Sequence, residues 1–163
     1  MNFLLTAELV TLVLIANGAP VLVNLLAGRH WNRPLDGHLV LRDQYPMLGD
    51  SKTIRGLLSA LVATAAVAPL FGLGLLQGAA FGGLAMLGDL ASSFIKRRLG
   101  FISGRSAPLL DQLPETLLPL TVMQPVLGAT AVEIFAAVCL FVVLDLLLSD
   151  LPKLLRRHAG GAG

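Results

Sequence analysis

The chain reads as an all-α integral membrane protein of about five transmembrane helices, on three observations. Of its 163 residues, 55% are hydrophobic and only 13% charged, against about 25% charged in soluble domains. The mean hydropathy is +0.79. The 12 Lys and Arg residues gather in three places separated by long apolar runs. This length predicts a single membrane domain over residues 1–163. A net charge of +2 is too small to call for a nucleic-acid partner, so the expected partner is the lipid bilayer itself. One cysteine, Cys139, permits no internal disulfide, and the scattered His30, His38 and His158 do not make a zinc site.

The elements follow in order. The first apolar run, about residues 2–27, has no basic region before it, carries Glu8 early and shows no small-residue cleavage signal. It is expected to be a retained helix, kinked where Asn17-Gly18-Ala19-Pro20 interrupts it. A polar loop, about residues 28–51, is too long and too polar to cross lipid. The second segment covers about residues 52–71, and Gly72-Leu73-Gly74 turns the chain into a third that ends near Ile95. A second polar loop spans about residues 96–112. The fourth segment, about residues 113–127, carries Glu115 and is broken by Pro119 and Pro125. A hydrocarbon core needs about 20 helical residues, so this short stretch is expected to be irregular or partly re-entrant. The fifth covers about residues 129–148, and a basic tail occupies about residues 150–163. Gly74, Gly78 and Gly82 form a four-residue stripe on the third segment. It predicts close helix packing, within the subunit or across a homodimer.

The cations test the topology. Arg29, Arg33, Arg42, Lys52 and Arg55 belong to the first loop and its edge. Lys96, Arg97, Arg98 and Arg105 belong to the second loop, and Lys153, Arg156 and Arg157 to the tail. With five spans all three groups lie on one side, which the positive-inside rule makes the cytoplasm. The expectation is a multi-pass protein of the cell membrane, N-terminus outside and C-terminal tail cytoplasmic.

The chemistry concentrates at Gly88-Asp89-Leu90-Ala91-Ser92-Ser93-Phe94-Ile95-Lys96-Arg97-Arg98. A carboxylate inside a membrane segment is costly and marks a functional site by default. At about 100° per residue, Asp89, Ser92, Ser93 and Lys96 share one helix face, Arg97 lies at its edge and Arg98 points the opposite way. Asp36, Asp43, Asp50, Asp89 and Asp111 accompany Lys52, Arg55, Lys96 and Arg97 at the same membrane face. Hard carboxylate oxygens without a Cys/His cluster suit Mg²⁺, which takes one or two carboxylates plus substrate phosphates. Gly49-Asp50-Ser51-Lys52-Thr53 lacks the full Walker pattern and a preceding strand. Amides at the start of the second helix can still receive phosphate. The pattern points to metal-assisted handling of phosphates at a membrane surface.

Two blocks carry a family resemblance. The first is Pro34-Leu35-Asp36-Gly37 followed by Leu48-Gly49-Asp50-Ser51-Lys52-Thr53-Ile54-Arg55-Gly56. The second joins Gly88-Asp89, Ser93-Phe94-Ile95-Lys96-Arg97-Arg98-Leu99-Gly100, Pro108 and Leu110-Asp111-Gln112-Leu113. With Ala16, Asn17 and Pro20 in the first helix, they resemble the CDP-archaeol synthase family, membrane cytidylyltransferases related to the bacterial phosphatidate cytidylyltransferases. The resemblance implies that a lipid phosphate of the 2,3-di-O-geranylgeranylglycerol phosphate type attacks the α-phosphate of CTP, leaving a CDP-lipid and pyrophosphate. It implies Asp89 and Asp111 as Mg²⁺ ligands and, with Lys96, as the catalytic set. Lys52, Arg55, Ser93 and Arg97 are candidates for the substrate phosphates, and Asp50, Asp36 and Asp43 for orienting the cations or contacting nucleotide. The chain departs from the family pattern at Asp43-Gln44-Tyr45-Pro46, where a glycine and basic residues are usual, and at Ile54, where an aromatic is usual. A diacyl phosphatidate is the alternative lipid. A transporter with Asp89 as an ion site, or a non-catalytic lipid-binding protein, are the other readings. Crowding of the polar residues at one face, with no second half repeating them, argues against a transporter.

Overall fold

The computed structural model describes residues 1–28, 32–105 and 107–159, with side chains as far as residue 148. Arg29, His30 and the side chains of Lys153, Arg156, Arg157 and His158 lie outside the described residues. The helices are α1 (Phe3–Ala27), α2 (Ile54–Val67, prolonged by a 3-10 turn over Ala68–Phe71), α3 (Leu75–Arg98), α4 (Gln112–Val122), α5 (Gln124–Leu127) and α6 (Ala131–Ala159). Among the described residues, four stretches are long and apolar enough to cross a bilayer: Phe3–Ala27, Ile54–Phe71, Leu75–Arg98 and Ala131–Leu148.

Contacts at the two ends of the bundle show how the chain travels. At one end the Asn2 amide donates to Glu133 Oε1 at 2.6 Å, and the Thr130 amide donates to Glu133 Oε2 at 2.8 Å. At the other, Arg55 reaches Asn24, Lys52 reaches Asp89, and Gln112 reaches Asp145. The chain therefore passes five times between the ends, and α4 with α5 makes the fourth passage. Those two helices hold 11 and 4 residues, too few to count as a membrane helix by length. Pro119 lies within α4, and Pro125 sits in the first turn of α5, where a missing N–H costs nothing. This is the irregular fourth segment that the two prolines predict.

Two boundaries move. The third helix runs one turn beyond Ile95, through the basic cluster to Arg98, because Lys96 and Arg97 turn inward rather than to solvent; Gly100, at φ +77°, ends it. The last helix continues into the tail as far as Ala159.

The core lies toward the Asn2 end. Leu9, Val13, Phe81, Leu120, Val138 and Phe141 pack there from α1, α3, α4 and α6. Outer-face residues such as Leu25, Leu76 and Leu147 are exposed on the bundle surface, as lipid-facing residues must be. The glycine stripe resolves to packing inside the subunit. Gly78 and Gly82 press on Thr64, Ala65, Ala68 and Ala60 of the second passage, at separations that leave no room for a Cβ.

Candidate active site

The first polar loop folds back on itself and delivers Lys52 to the bundle. Asp36 is its internal anchor. It accepts from the amides of His38 (3.1 Å), Leu48 (2.8 Å) and Gly49 (3.0 Å). Burial pushes its carboxyl up, but these amides outweigh burial and hold it below the ordinary carboxylate value. The loop closes where the Leu35 amide donates to the Lys52 carbonyl at 2.7 Å, and Thr53 caps α2 by accepting from the Gly56 amide at 3.1 Å. Arg98 braces the same loop. It pairs with Asp43 at 3.0 Å and donates to the carbonyls of Tyr45 and Pro46. Asp50 pairs with His38 at the exposed surface.

Between these loops and α1, α3, α4 and α6 opens a cavity of about 340 Å³. Lys52, Asp89, Lys96, Arg105, Asp111 and Glu115 line it, together with Asn17, Asn24, Gln112 and Asp145. Two ion pairs organise the wall. Lys52 Nζ sits 2.6 Å from both oxygens of Asp89, and Lys96 Nζ lies 2.6 Å from Asp111. Lys96 also donates to the Arg105 carbonyl at 3.2 Å. Asp111 is positioned by the Ala107 amide at 2.9 Å, and Gln112 ties α4 to α6 through Asp145 at 2.7 Å.

The structure thus brings together Asp89, Asp111, Lys52 and Lys96 from the predicted set. Asp89 and Lys96 share the face of α3 that helical spacing assigns them. Arg97 and Ser93 are buried beside the cavity rather than lining it. Arg97 is 1% exposed, and its Nε and Nη1 find no hydrogen-bond partner among the described residues. Arg55 stands at the rim, donating to Asn24 Oδ1 at 2.5 Å. Asp36, Asp43 and Asp50 do not line the cavity and make the loop contacts just described. Sequence reasoning assigned no role to Asn17, Asn24, Gln112, Glu115 and Asp145. For Asp145 the signal was present: it is a carboxylate in an apolar helix, like Asp89.

A cavity at one end of a membrane helix bundle, walled by carboxylates and lysines and faced by the N-terminus of α2, defines a polytopic membrane protein fitted for phosphates and cations. The comparisons give the particular family. The family model described as CarS-like, CDP-archaeol synthase, matches residues 64–152. A CDP-archaeol synthase of Aeropyrum pernix is 42% identical over 156 residues, covering 85% of this chain and 82% of that one. One of Hyperthermus butylicus is 43% identical over 110 residues, covering 61% and 60%. A solved structure described as an intramembrane enzyme for archaeal membrane lipids biosynthesis superposes with a TM-score of 0.76 at 38% identity, covering 91% of this chain and 94% of that one. The chain belongs to the CDP-archaeol synthase family.

Proposed function

We propose that this chain is a CTP-dependent cytidylyltransferase that moves CMP onto the phosphate of a diether isoprenoid lipid. The observation that carries the reading is the pair of lysine–carboxylate contacts, Lys52–Asp89 and Lys96–Asp111, facing one cavity in a chain of this family. A lipid phosphate oxygen attacks the α-phosphorus of CTP. A new P–O bond forms, the bond to the β-phosphate bridging oxygen breaks, and pyrophosphate leaves with the electron pair. Such transfers depend on positioning and charge neutralisation rather than on covalent work by the protein.

The residues fit Mg²⁺. Asp89 and Asp111 offer hard oxygens to one cavity, and each holds an ammonium at 2.6 Å, where a cation is already favoured. No three carboxylates or histidines converge in a ligating arrangement among the described residues. Mg²⁺ does not require that, since substrate phosphates and waters complete its shell. Asp89 and Asp111 would hold the Mg²⁺, which would supply charge neutralisation at the triphosphate. Lys52 and Lys96 offer ammonium groups to the phosphates, Arg105 adds charge from the second loop, and the α2 N-terminus offers amides.

Purified protein given CTP labelled at the α-phosphate and a diether lipid phosphate is expected to place label in the lipid and release pyrophosphate. Diacyl phosphatidate is expected to accept less, and ATP to donate little. Label that never enters lipid, or equal turnover of ATP, removes the assignment.

The cations favour the cavity end facing the cytoplasm, with the N-terminus outside. Reporter fusions after Gly28, Gly100 and Gly163 should all report the cytoplasm. A fusion at Gly163 reporting the outside rules this orientation out.

A further inference from the structure

Asp145 places a carboxylate in the apolar helix α6, where it is costly, and the transfer described above gives it no task. Its Oδ2 accepts from Gln112 Nε2 at 2.7 Å. The other end of that carboxamide is occupied too, because Gln112 Oε1 accepts from the Leu109 amide at 3.0 Å. A backbone N–H only donates and a carboxylate only accepts, so these two contacts fix which way the carboxamide lies. Gln112 is 4% exposed and is held at both ends inside the protein. The residue it grips is strained. Leu109 has φ +65°, a left-handed conformation that leucine adopts rarely and keeps only where its surroundings impose it. Packing of its own side chain does not impose it, since Leu109 is 53% exposed.

The same turn delivers Asp111, which stands between the two residues that the Gln112 side chain joins. The Asp111 amide donates to the Ala107 carbonyl at 3.0 Å, and the Leu110 amide to the Pro108 carbonyl at 2.8 Å. Asp111 Oδ2 accepts from the Ala107 amide at 2.9 Å, which leaves Oδ1 toward Lys96 at 2.6 Å. We propose that Asp145 is a positioning residue. Through Gln112 it holds the Leu109 turn in its left-handed form and so aims the Asp111 carboxylate into the cavity. The inference rests on the reading of Asp111 as an Mg²⁺ ligand. Outer partners that orient a metal's ligands are worth about 10–100-fold in ion affinity or activity. Asp145 acts by accepting a hydrogen bond, so a neutral acceptor of the same shape serves in its place.

The test measures equilibrium binding of labelled CTP to the detergent-purified full chain, once with Mn²⁺ in place of Mg²⁺ and once with a chelator, beside a thermal melt. No lipid substrate is present. Asp145→Leu keeps the shape of the side chain and suits an apolar helix. It is expected to weaken CTP binding with Mn²⁺ about 10-fold or more, while metal-free binding and the melting temperature hold. Asp145→Asn keeps an oxygen that accepts from Gln112 and should bind like wild type. Gln112→Met should copy Asp145→Leu, and the two together should be no worse than either, since they break one chain of contacts. Glycine takes a positive φ without strain, so Leu109→Gly added to Asp145→Leu should return the affinity toward wild type. Full Mn²⁺-dependent affinity in Asp145→Leu overturns the proposal. So does an Asp145→Asn as weak as Asp145→Leu, which makes the charge itself the contact. Equal losses with and without Mn²⁺, losses that only follow the melting temperature, no recovery on adding Leu109→Gly, and wild-type binding that ignores Mn²⁺ overturn it as well. If Asp145→Leu does not fold, Gln112→Met with and without Leu109→Gly decides. A chain that shows this binding pattern but puts no label into lipid loses the assigned reaction and keeps this inference.

Discussion

Asp89→Asn is expected to turn over CTP about 10²-fold more slowly than wild type, or worse, while purifying as a folded protein. The substitution keeps the size of the side chain and one hydrogen-bonding oxygen and removes the charge. Loss of one preorganised electrostatic contact in a water-poor site is worth about that factor. Asp111→Asn should behave alike. The double variant should be little worse than either single, since groups that act as a unit are non-additive. The structure supplies the competing explanation, because Asp89 is also the counter-ion of Lys52 at 2.6 Å. Removing one member of a largely buried pair can harm the protein merely by stranding the other. A thermal melt of Asp89→Asn separates the two. If Asp89 only balances Lys52, the melting temperature falls along with turnover; if it serves the triphosphate, turnover falls while the melting temperature holds. Near wild-type turnover by both single Asn variants, or a loss of turnover that only tracks a loss of stability, would remove Asp89 and Asp111 from the catalytic set.

How much of this was legible depends on the range of the interaction. Spacing along one helix is local, so the shared face of Asp89 and Lys96 follows from the 3.6-residue period alone. Their partners do not. Lys52 and Asp89 are 37 residues apart, and only the packing of α2 on α3 brings them together. That packing was written in the Gly78 and Gly82 stripe, but the stripe names no partner helix. Arg98 does point away from the cavity, as its helical position requires, yet it is no idle cation. Its contacts with Asp43, Tyr45 and Pro46 depend on the fold of a loop that no periodicity describes. Asp36 illustrates the same limit. A loop carboxylate can serve a substrate or its own backbone, and only the amides of Leu48 and Gly49 show what it binds. Glu115 is visible in the sequence as a carboxylate in the short fourth segment, but only the fold shows that the first turn of α4 carries it into the cavity.

Gly88→Ala is expected to lower both the melting temperature and CTP turnover, although Gly88 bears no chemistry. A Cβ there would collide with the carbonyl of Pro114 and the Cα of Glu115, which are backbone atoms and cannot rotate aside. Either α3 or α4 must shift. Overpacking of this kind costs about 1–3 kcal/mol. The shift also moves the segment that bears Asp111, Gln112 and Glu115, and a misplacement of about 1 Å at a reacting site can cost about 10²-fold in rate. Gly83→Ala is the matched control five residues earlier on the same helix. A Cβ there meets nothing within 4 Å, and alanine is the better helix former by about 1 kcal/mol. It should leave turnover unchanged and hold or raise the melting temperature. Thermal melts in detergent and CTP turnover on the two variants read the difference directly. Should Gly88→Ala melt and turn over like Gly83→Ala, the close α3–α4 crossing does not position the site.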